Sequence, residues 1–189
     1  MNIFLNAVSQ EWYICIFDSQ RHIYASLSFE VLWNESSKLI QFVDDFLIES
    51  DTSYSQIENI VTVVWPGSFT GIRTIVLFVN TLAFIHKNIF LTPVNYFDLF
   101  DQYPIVKQSS KRDMFVKKEK NTIIEIMSNV DFCSYASENQ IEYIYGHIGQ
   151  GIFPWEISTE IDYESYIQKI EIDNKKTLTP LYIKKPNIT

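Results

Sequence analysis

The loop Pro66–Gly71 (PGSFTG) is the segment of this sequence whose residue types are best suited to bind a ligand, and Arg73 follows it closely. It lies between a β-branched run typical of a buried strand and an apolar run typical of a helix. Glycines allow close backbone approach and a helix N-terminus presents free N–H groups, so an anion could bind there. A plain strand-to-helix turn with Ser68 or Thr70 as N-cap is favoured, because the loop has neither the GxxxxGK[ST] nor the GxSxG spacing.

Other catalytic or metal-binding signatures are missing from the sequence. The three histidines, His22, His86 and His147, form no HxxxH pattern, and Cys15 and Cys133 form no CxxC pair. The sequence therefore predicts no catalytic residue, no metal site and no cofactor.

Composition limits the class of protein. The chain has 189 residues, of which 47% are hydrophobic, so it can bury a core, and its formal charge of −8 repels phosphate backbones. The most apolar stretch, Ile72–Ile85, is interrupted by Arg73 and Asn80 and is too short to span a bilayer, and the N-terminus lacks the pattern of a signal peptide. With only two widely separated cysteines, we expect a cytoplasmic protein with no membrane association.

The first hundred residues alternate between strand and helix patterns. A hairpin, with its turn at Asp18–Arg21, and a further strand precede alternating helices and strands, which predicts a mixed sheet with helices on both faces. The predicted strands are Ile3–Leu5, Trp12–Phe17, Ile23–Phe29, Asn59–Trp65 and Ile89–Val94, and the predicted helices are 36–48, 70–86 and Tyr96–Phe100.

Beyond Pro104 the composition changes, with many lysines gathered between Lys107 and Lys120. We therefore predict one domain at residues 1–103 and a smaller, strand-rich half at residues 104–189. Its predicted elements are strands at Met114–Val116, Ile123–Met127, Glu142–Tyr145 and Leu181–Ile183 and a helix at Tyr163–Ile170.

The helix at 70–86 is apolar around most of its circumference. A helix that covers one sheet face needs only one apolar stripe, yet Leu77, Phe78, Phe84 and Ile85 lie outside that stripe. The helix is therefore either central to the fold or in contact with another chain, and the interface interpretation is favoured.

The string PGSFTGIR, preceded by a β-rich strand and followed by an apolar helix, resembles the GPGSFTGLR motif of the TsaB/YeaZ family. Pro66–Gly71 and Arg73 match the motif, Ile72 stands for leucine, and Trp65 replaces the leading glycine. Further similar segments are the opening hairpin, the helix start Glu35–Leu39, Thr92–Val94 and Pro180–Lys184.

The resemblance implies an α/β, actin-like ATPase-superfamily fold of two ribonuclease-H-like halves, in a member that acts as a scaffold and not as an enzyme. In that family, TsaB pairs with its catalytic paralogue TsaD through the two helices of the first half, and TsaE, an ATPase, joins the complex. TsaD transfers a threonylcarbamoyl group to adenine 37 of tRNA, so TsaB meets tRNA only indirectly.

Two departures from the family pattern bear on function. Asn6-Ala7 stands where relatives carry Asp, often Asp-Thr, near the nucleotide phosphates and metal, and the loss of a carboxylate disfavours Mg²⁺ binding. Ile75 and Leu77 stand where the family has small residues on the second helix, so helix pairing is expected to differ in detail.

The resulting prediction is a scaffold subunit that binds a TsaD-like protein. The alternatives are an enzyme with its own nucleotide or peptidase site, and a free-standing homodimer that serves as a structural module. The residues expected to contact the partner are Leu39, Val43, Phe46, Phe69, Arg73, Val76, Leu77, Asn80 and Phe84, with Pro66, Gly67, Ser68, Phe69, Thr70 and Gly71 as the structural loop.

Overall fold

The computed structural model describes residues 1–9, 11–31, 35–148 and 155–180, apart from the side chains of residues 35, 36 and 69. The chain divides into two compact units. The first contains Met1–Tyr96 together with the residues from Glu164 onward, and the second contains Phe97–Tyr163.

Ten strands and four α-helices make up the described part of the two units. The strands are β1 (Asn2–Asn6), β2 (Glu11–Phe17), β3 (Ile23–Glu30), β4 (Asn59–Trp65), β5 (Phe90–Asn95), β6 (Ile105–Gln108), β7 (Asp113–Lys117), β8 (Glu125–Ser128), β9 (Tyr143–His147) and β10 (Glu156–Ser158). The helices are α1 (Leu39–Glu49), α2 (Phe69–Ile85), α3 (Asn129–Glu138) and α4 (Tyr163–Lys169), with 3-10 turns at Glu35–Lys38, Tyr54–Gln56 and Tyr96–Leu99.

The first unit has a mixed five-stranded sheet in the order β3-β2-β1-β4-β5. The hairpin β2–β3 and the pair β1–β2 are antiparallel, whereas β1–β4 and β4–β5 are parallel. Parallel neighbours require crossover connections, and α1 and α2 supply them. Strand β4 is buried at all seven positions, as its continuous apolar sequence predicts.

Helices cover both faces of this sheet. On β2 the neighbouring residues Trp12 and Tyr13 point to opposite faces, since side chains alternate along a strand. The Trp12 ring lies 5.7 Å from Phe42 of α1. On the other face, Phe4 contacts Tyr13 at 6.2 Å and Tyr166 of α4 at 5.7 Å. The predicted mixed sheet with helices on both faces is confirmed.

The second unit repeats the same strand order, β8-β7-β6-β9-β10, with the same pattern of antiparallel and parallel pairs. Helix α3 connects β8 to β9, as α1 connects β3 to β4. The core is formed by Val106, Met114, Val116, Phe132, Ala136 and Ile144.

The structure divides the chain differently from the predicted boundary at residue 103, because the segment after Glu164 belongs to the first unit. Lys175 pairs with Leu91 of β5 through two backbone hydrogen bonds of 2.8 and 3.1 Å. Asp173 accepts a hydrogen bond from buried Asn59 and exchanges two with the hydroxyl of buried Thr92. Residues 171–178, the return segment, thus complete the sheet edge of the first unit.

Most predicted elements of the first hundred residues are confirmed within a residue or two, and so is the helix at 163–170. Strands β6 and β10 and helix α3 were not predicted from the sequence. The strand predicted at Leu181–Ile183 lies outside the described residues.

Candidate partner-binding surface

The loop after β4 forms the N-cap of α2. Ser68 has extended backbone angles, and its hydroxyl accepts a hydrogen bond of 3.0 Å from the amide of Gly71. This satisfies one of the free N–H groups at the helix start. The loop therefore forms the strand-to-helix turn that the sequence favoured, and its N-cap is Ser68 and not Thr70.

Both loop glycines are closely packed. A Cβ atom on Gly71 would lie 2.8 Å from the Ser68 hydroxyl, and one on Gly67 would lie 3.1 Å from Cβ of Val8 and 3.2 Å from Ile72. The loop is thus pressed against the segment that follows β1, and the PGSFTG string has a structural reason at both glycines.

Helix α2 has a buried side and an exposed side. Thr70, Arg73, Leu77, Thr81 and Phe84 are spaced three or four residues apart, so they form one stripe, and all are exposed. We call this stripe the outer face of α2. Leu77 is 70% exposed and Phe84 is 74% exposed.

Ile85 lies beside the outer face and is also exposed. It is not among the contact residues predicted from the sequence. The Lys87 ammonium lies 4.1 Å from the centre of the Phe84 ring. Two large aliphatic side chains and an aromatic ring are thus presented to solvent along a helix of 17 residues. Such a surface is typical of an interaction site.

Four of the predicted contact residues are buried inside the first unit. Leu39, Val43 and Phe46 belong to the inner side of α1, and Val76 belongs to the inner side of α2. In this structure they hold the unit together and are not available to a partner. Ile72 and Val79 are also buried.

Asn80 is engaged with the chain itself. Its amide nitrogen donates to the carbonyl of Leu178 at 3.0 Å, and its amide oxygen accepts from the amide of Leu178 at 2.8 Å. The return segment therefore covers this part of α2. Of the nine predicted contact residues, Arg73, Leu77 and Phe84 lie exposed on the outer face, and the side chain of Phe69 is outside the described part.

Tyr54 links the two helices near their C-terminal ends. Its hydroxyl donates to Asp44 of α1 at 2.6 Å, and its ring stacks on His86, the C-cap of α2, at 5.4 Å. Burial and the Asp44 carboxylate raise the pKa of Tyr54, so it stays protonated and remains a donor. Asp44 is thus a structural acceptor on α1.

The last residue of β1 is Asn6, which carries an amide and no carboxylate. Asn6 is fully buried, and its side-chain oxygen accepts a hydrogen bond from the amide of Val8 at 3.4 Å. Across residues 1–9, 11–31, 35–148 and 155–180, no group of three His, Cys, Asp or Glu side chains is placed to hold a metal ion. Within the same ranges, no helix has the length and apolarity needed to cross a membrane.

The second unit contains a buried basic pair that sequence reasoning missed. Lys107 of β6 and His147 of β9 are register partners on adjacent parallel strands, and Lys107 is only 5% exposed. Burial lowers the pKa of Lys107 to about 7, and burial together with Lys107 lowers that of His147 to about 3. The sequence indicated Lys107 only as one of several lysines in a basic segment. Its burial was not predicted because strand β6 was not predicted.

Comparisons with known proteins agree with this architecture. The family described as "TsaD: tRNA N6-adenosine threonylcarbamoyltransferase" matches residues 33–100, which is less than half of the chain but includes α1 and α2. No curated protein matches the sequence.

Two solved structures are similar to the chain. One is described as an uncharacterized protein with similarity to peptidase YEAZ, from Pseudomonas aeruginosa, with 14% identity and a TM-score of 0.57. The other is YeaZ from Pseudomonas aeruginosa, with 15% identity and a TM-score of 0.52. The matches cover 68% and 67% of this chain but only 66% and 64% of those proteins, and at such identities they show the fold alone.

The fold is thus actin-like and ribonuclease-H-like, with two halves that each contain a mixed sheet flanked by helices. The chain thus resembles the TsaD family over residues 33–100 and has a fold similar to that of YeaZ over about two thirds of its length.

Proposed function

We propose that the chain is a TsaB-related, non-catalytic subunit of the tRNA threonylcarbamoyladenosine machinery, which binds a TsaD-like catalytic subunit through the outer face of α2. The observation that carries the proposal is the exposure of Leu77 and Phe84 on a helix within the matched residues 33–100. A TsaE-like ATPase joins that complex, and tRNA is contacted only through the catalytic subunit.

The charges of the chain support this division of labour. An acidic protein with a formal charge of −8 repels tRNA, so the catalytic partner has to supply the basic surface. The amide of Asn6 at the end of β1 does not provide the carboxylate oxygen that Mg²⁺ prefers, so we expect no ATP hydrolysis by this chain alone. The peptidase named in the description of one structural neighbour refers to that protein.

The test is co-purification with the TsaD-like protein of the same organism, followed by threonylcarbamoylation of its tRNA with and without this chain. Leu77→Asp and Phe84→Asp place a charge at the centre of the proposed contact, where an unpaired buried carboxylate costs several kcal/mol. We expect at least a hundredfold loss of affinity for each.

Val130→Asp is the matched control, since Val130 is 74% exposed on a helix of the second unit. Circular dichroism should show that all three variants keep the fold, whereas Val76→Asp should unfold the first unit because Val76 is buried. Wild-type affinity in both Leu77→Asp and Phe84→Asp would rule out this surface. Modification that proceeds equally well without the chain would rule out the function itself.

A further inference from the structure

Strand β3 is an edge strand of the first sheet. The opposite edge strand, β5, is covered by the return segment through Leu91 and Lys175. Among the described strands, β3 pairs only with β2, so one row of its backbone N–H and C=O groups faces outward. Tyr24 and Leu27 on this strand are exposed.

The register of β3 shifts at Ile23–Ala25, but beyond that irregularity this edge lacks the features that usually protect an edge strand. Natural edges are kept from pairing by short length, lysine or proline. Strand β3 has eight residues, contains neither lysine nor proline, and carries a single charge at Glu30. The edges of the second sheet differ, since β8 has four residues, with Glu125 paired to Lys118 at 2.9 Å, and β10 has three.

The chemistry of an open edge selects an extended chain as its occupant, because only an extended backbone can satisfy a row of alternating donors and acceptors. We propose that this occupant is β3 of a second copy, which pairs antiparallel about a two-fold axis and joins two five-stranded sheets into one of ten strands. The axis passes beside Leu27.

The sequence of β3 is self-complementary about Leu27. Residues directly opposite in an antiparallel pair share a face, so Leu27 meets its own copy and Ala25 meets Phe29, while Ser26 meets Ser28 on the other face. Apolar side chains thus oppose apolar ones, and hydroxyls oppose hydroxyls. In a chain of formal charge −8, this strand also brings two copies together with little like-charge repulsion.

The proposed pairing uses β3 and not the outer face of α2. A negative result for the pairing therefore leaves the proposed function unaffected, and a negative result for the function leaves the pairing unaffected. One strand pair forms a small interface, so the association should be weak and visible only at high protein concentration. Analytical ultracentrifugation of the full chain from about 5 μM to about 500 μM should therefore show the average mass rising from that of the monomer toward that of the dimer.

Leu27→Lys is the disrupting variant, since it places two ammonium groups opposite each other across the axis. We expect the association to weaken at least about tenfold. Ile126→Lys on β8 is the matched control, because Ile126 is 41% exposed on an edge strand and Leu27 is 37% exposed. Leu77→Lys is a second control, which tests whether the dimer forms through the outer face of α2 instead. Neither control should change the dimer.

A cysteine cross-link tests the register. In a Cys133→Ser background, Leu27→Cys should form an intermolecular disulfide under mild oxidation, whereas Tyr24→Cys should not, because opposite Cβ atoms lie close only at the axis. Cys15 will not interfere, since it is buried and burial raises its pKa to about 12.

Each result decides the proposal. A dimer weakened by Leu27→Lys and captured by Leu27→Cys supports it. A monomer at all concentrations, a dimer broken by Leu77→Lys but not by Leu27→Lys, or equal cross-linking at both cysteine positions overturns it. Binding of an unrelated extended peptide at β3 without self-association would also overturn the choice of a second copy.

Discussion

The contact between Asn80 and Leu178 predicts that Asn80→Ala destabilises the first unit. The change removes two hydrogen bonds, of 3.0 and 2.8 Å, and leaves the amide and carbonyl of Leu178 without their partner. Each such bond contributes about 0.5–1.5 kcal/mol, so the loss is about 1–3 kcal/mol. Alanine is the better helix former by about 0.5 kcal/mol, so the net expected loss is about 0.5–2.5 kcal/mol.

Thr81→Ala is the matched control for this prediction. Thr81 is the next residue of α2, is exposed, and its hydroxyl donates to the carbonyl of Leu77 in its own helix, at 2.8 Å. It gains a similar amount of helix propensity on replacement. We therefore expect Thr81→Ala to be neutral or slightly stabilising.

Urea denaturation measures the two free energies of unfolding, and hydrogen exchange reports on the Leu178 amide directly. In Asn80→Ala this amide should exchange about ten times faster or more, while amides of the second unit should not change. If Asn80→Ala is as stable as Thr81→Ala and the Leu178 amide keeps its protection, the assignment of Asn80 to the return segment is refuted. A loss of partner affinity with unchanged stability would instead favour the sequence-based assignment of Asn80 to the interface.

Two further predictions concern the α2 loop and the second unit. Ser68→Ala should destabilise the chain by about 1 kcal/mol, since it removes the N-cap hydrogen bond to the amide of Gly71, and thermal denaturation with Thr70→Ala as control measures this loss. The lowered pKa of Lys107 means that the unfolded chain binds more protons between about pH 7 and pH 10.5, so this residue should make stability rise with pH in that window, by at most about 1.4 kcal/mol per pH unit. Urea denaturation across that range should show the free energy of unfolding rising with pH in the wild type, and this rise should be lost in Lys107→Met. Equal pH dependence of the unfolding free energy in both proteins would contradict the lowered pKa of Lys107.

The sequence predicted the strands and helices of the first hundred residues well, because their apolar patterns are strong. Strand β4 is continuously apolar and proved buried throughout, and the hairpin turn at Asp18–Arg21 was recognised from its residue types. Helix α3 was missed because only Phe132 and Ala136 are buried on it, which gives too weak a periodic signal. Strand β6 was missed because it is four residues long and contains Lys107.

The candidate surface was predicted only in part. The apolarity of α2 indicated a second contact beyond the sheet, but sequence alone did not separate Val76, which is buried, from its neighbour Leu77, which is exposed. That distinction depends on how α2 is rotated against the sheet and α1. The engagement of Asn80 depends on Leu178, 98 residues away, and no local pattern reports a contact at that separation.

The discontinuity of the first unit has a consequence for the order in which the chain folds. The second unit is a contiguous segment, Phe97–Tyr163, and it can close its core as soon as it has left the ribosome. The first unit cannot complete its sheet edge until the return segment is made, although its five strands are synthesised before the second unit. Until then Asn59 and Thr92 lack the backbone groups that satisfy them, and the edge of β5 is bare. Residues made after the second unit therefore complete the sheet made before it, and a chain arrested before them would expose the edges β3 and β5 to aggregation during synthesis.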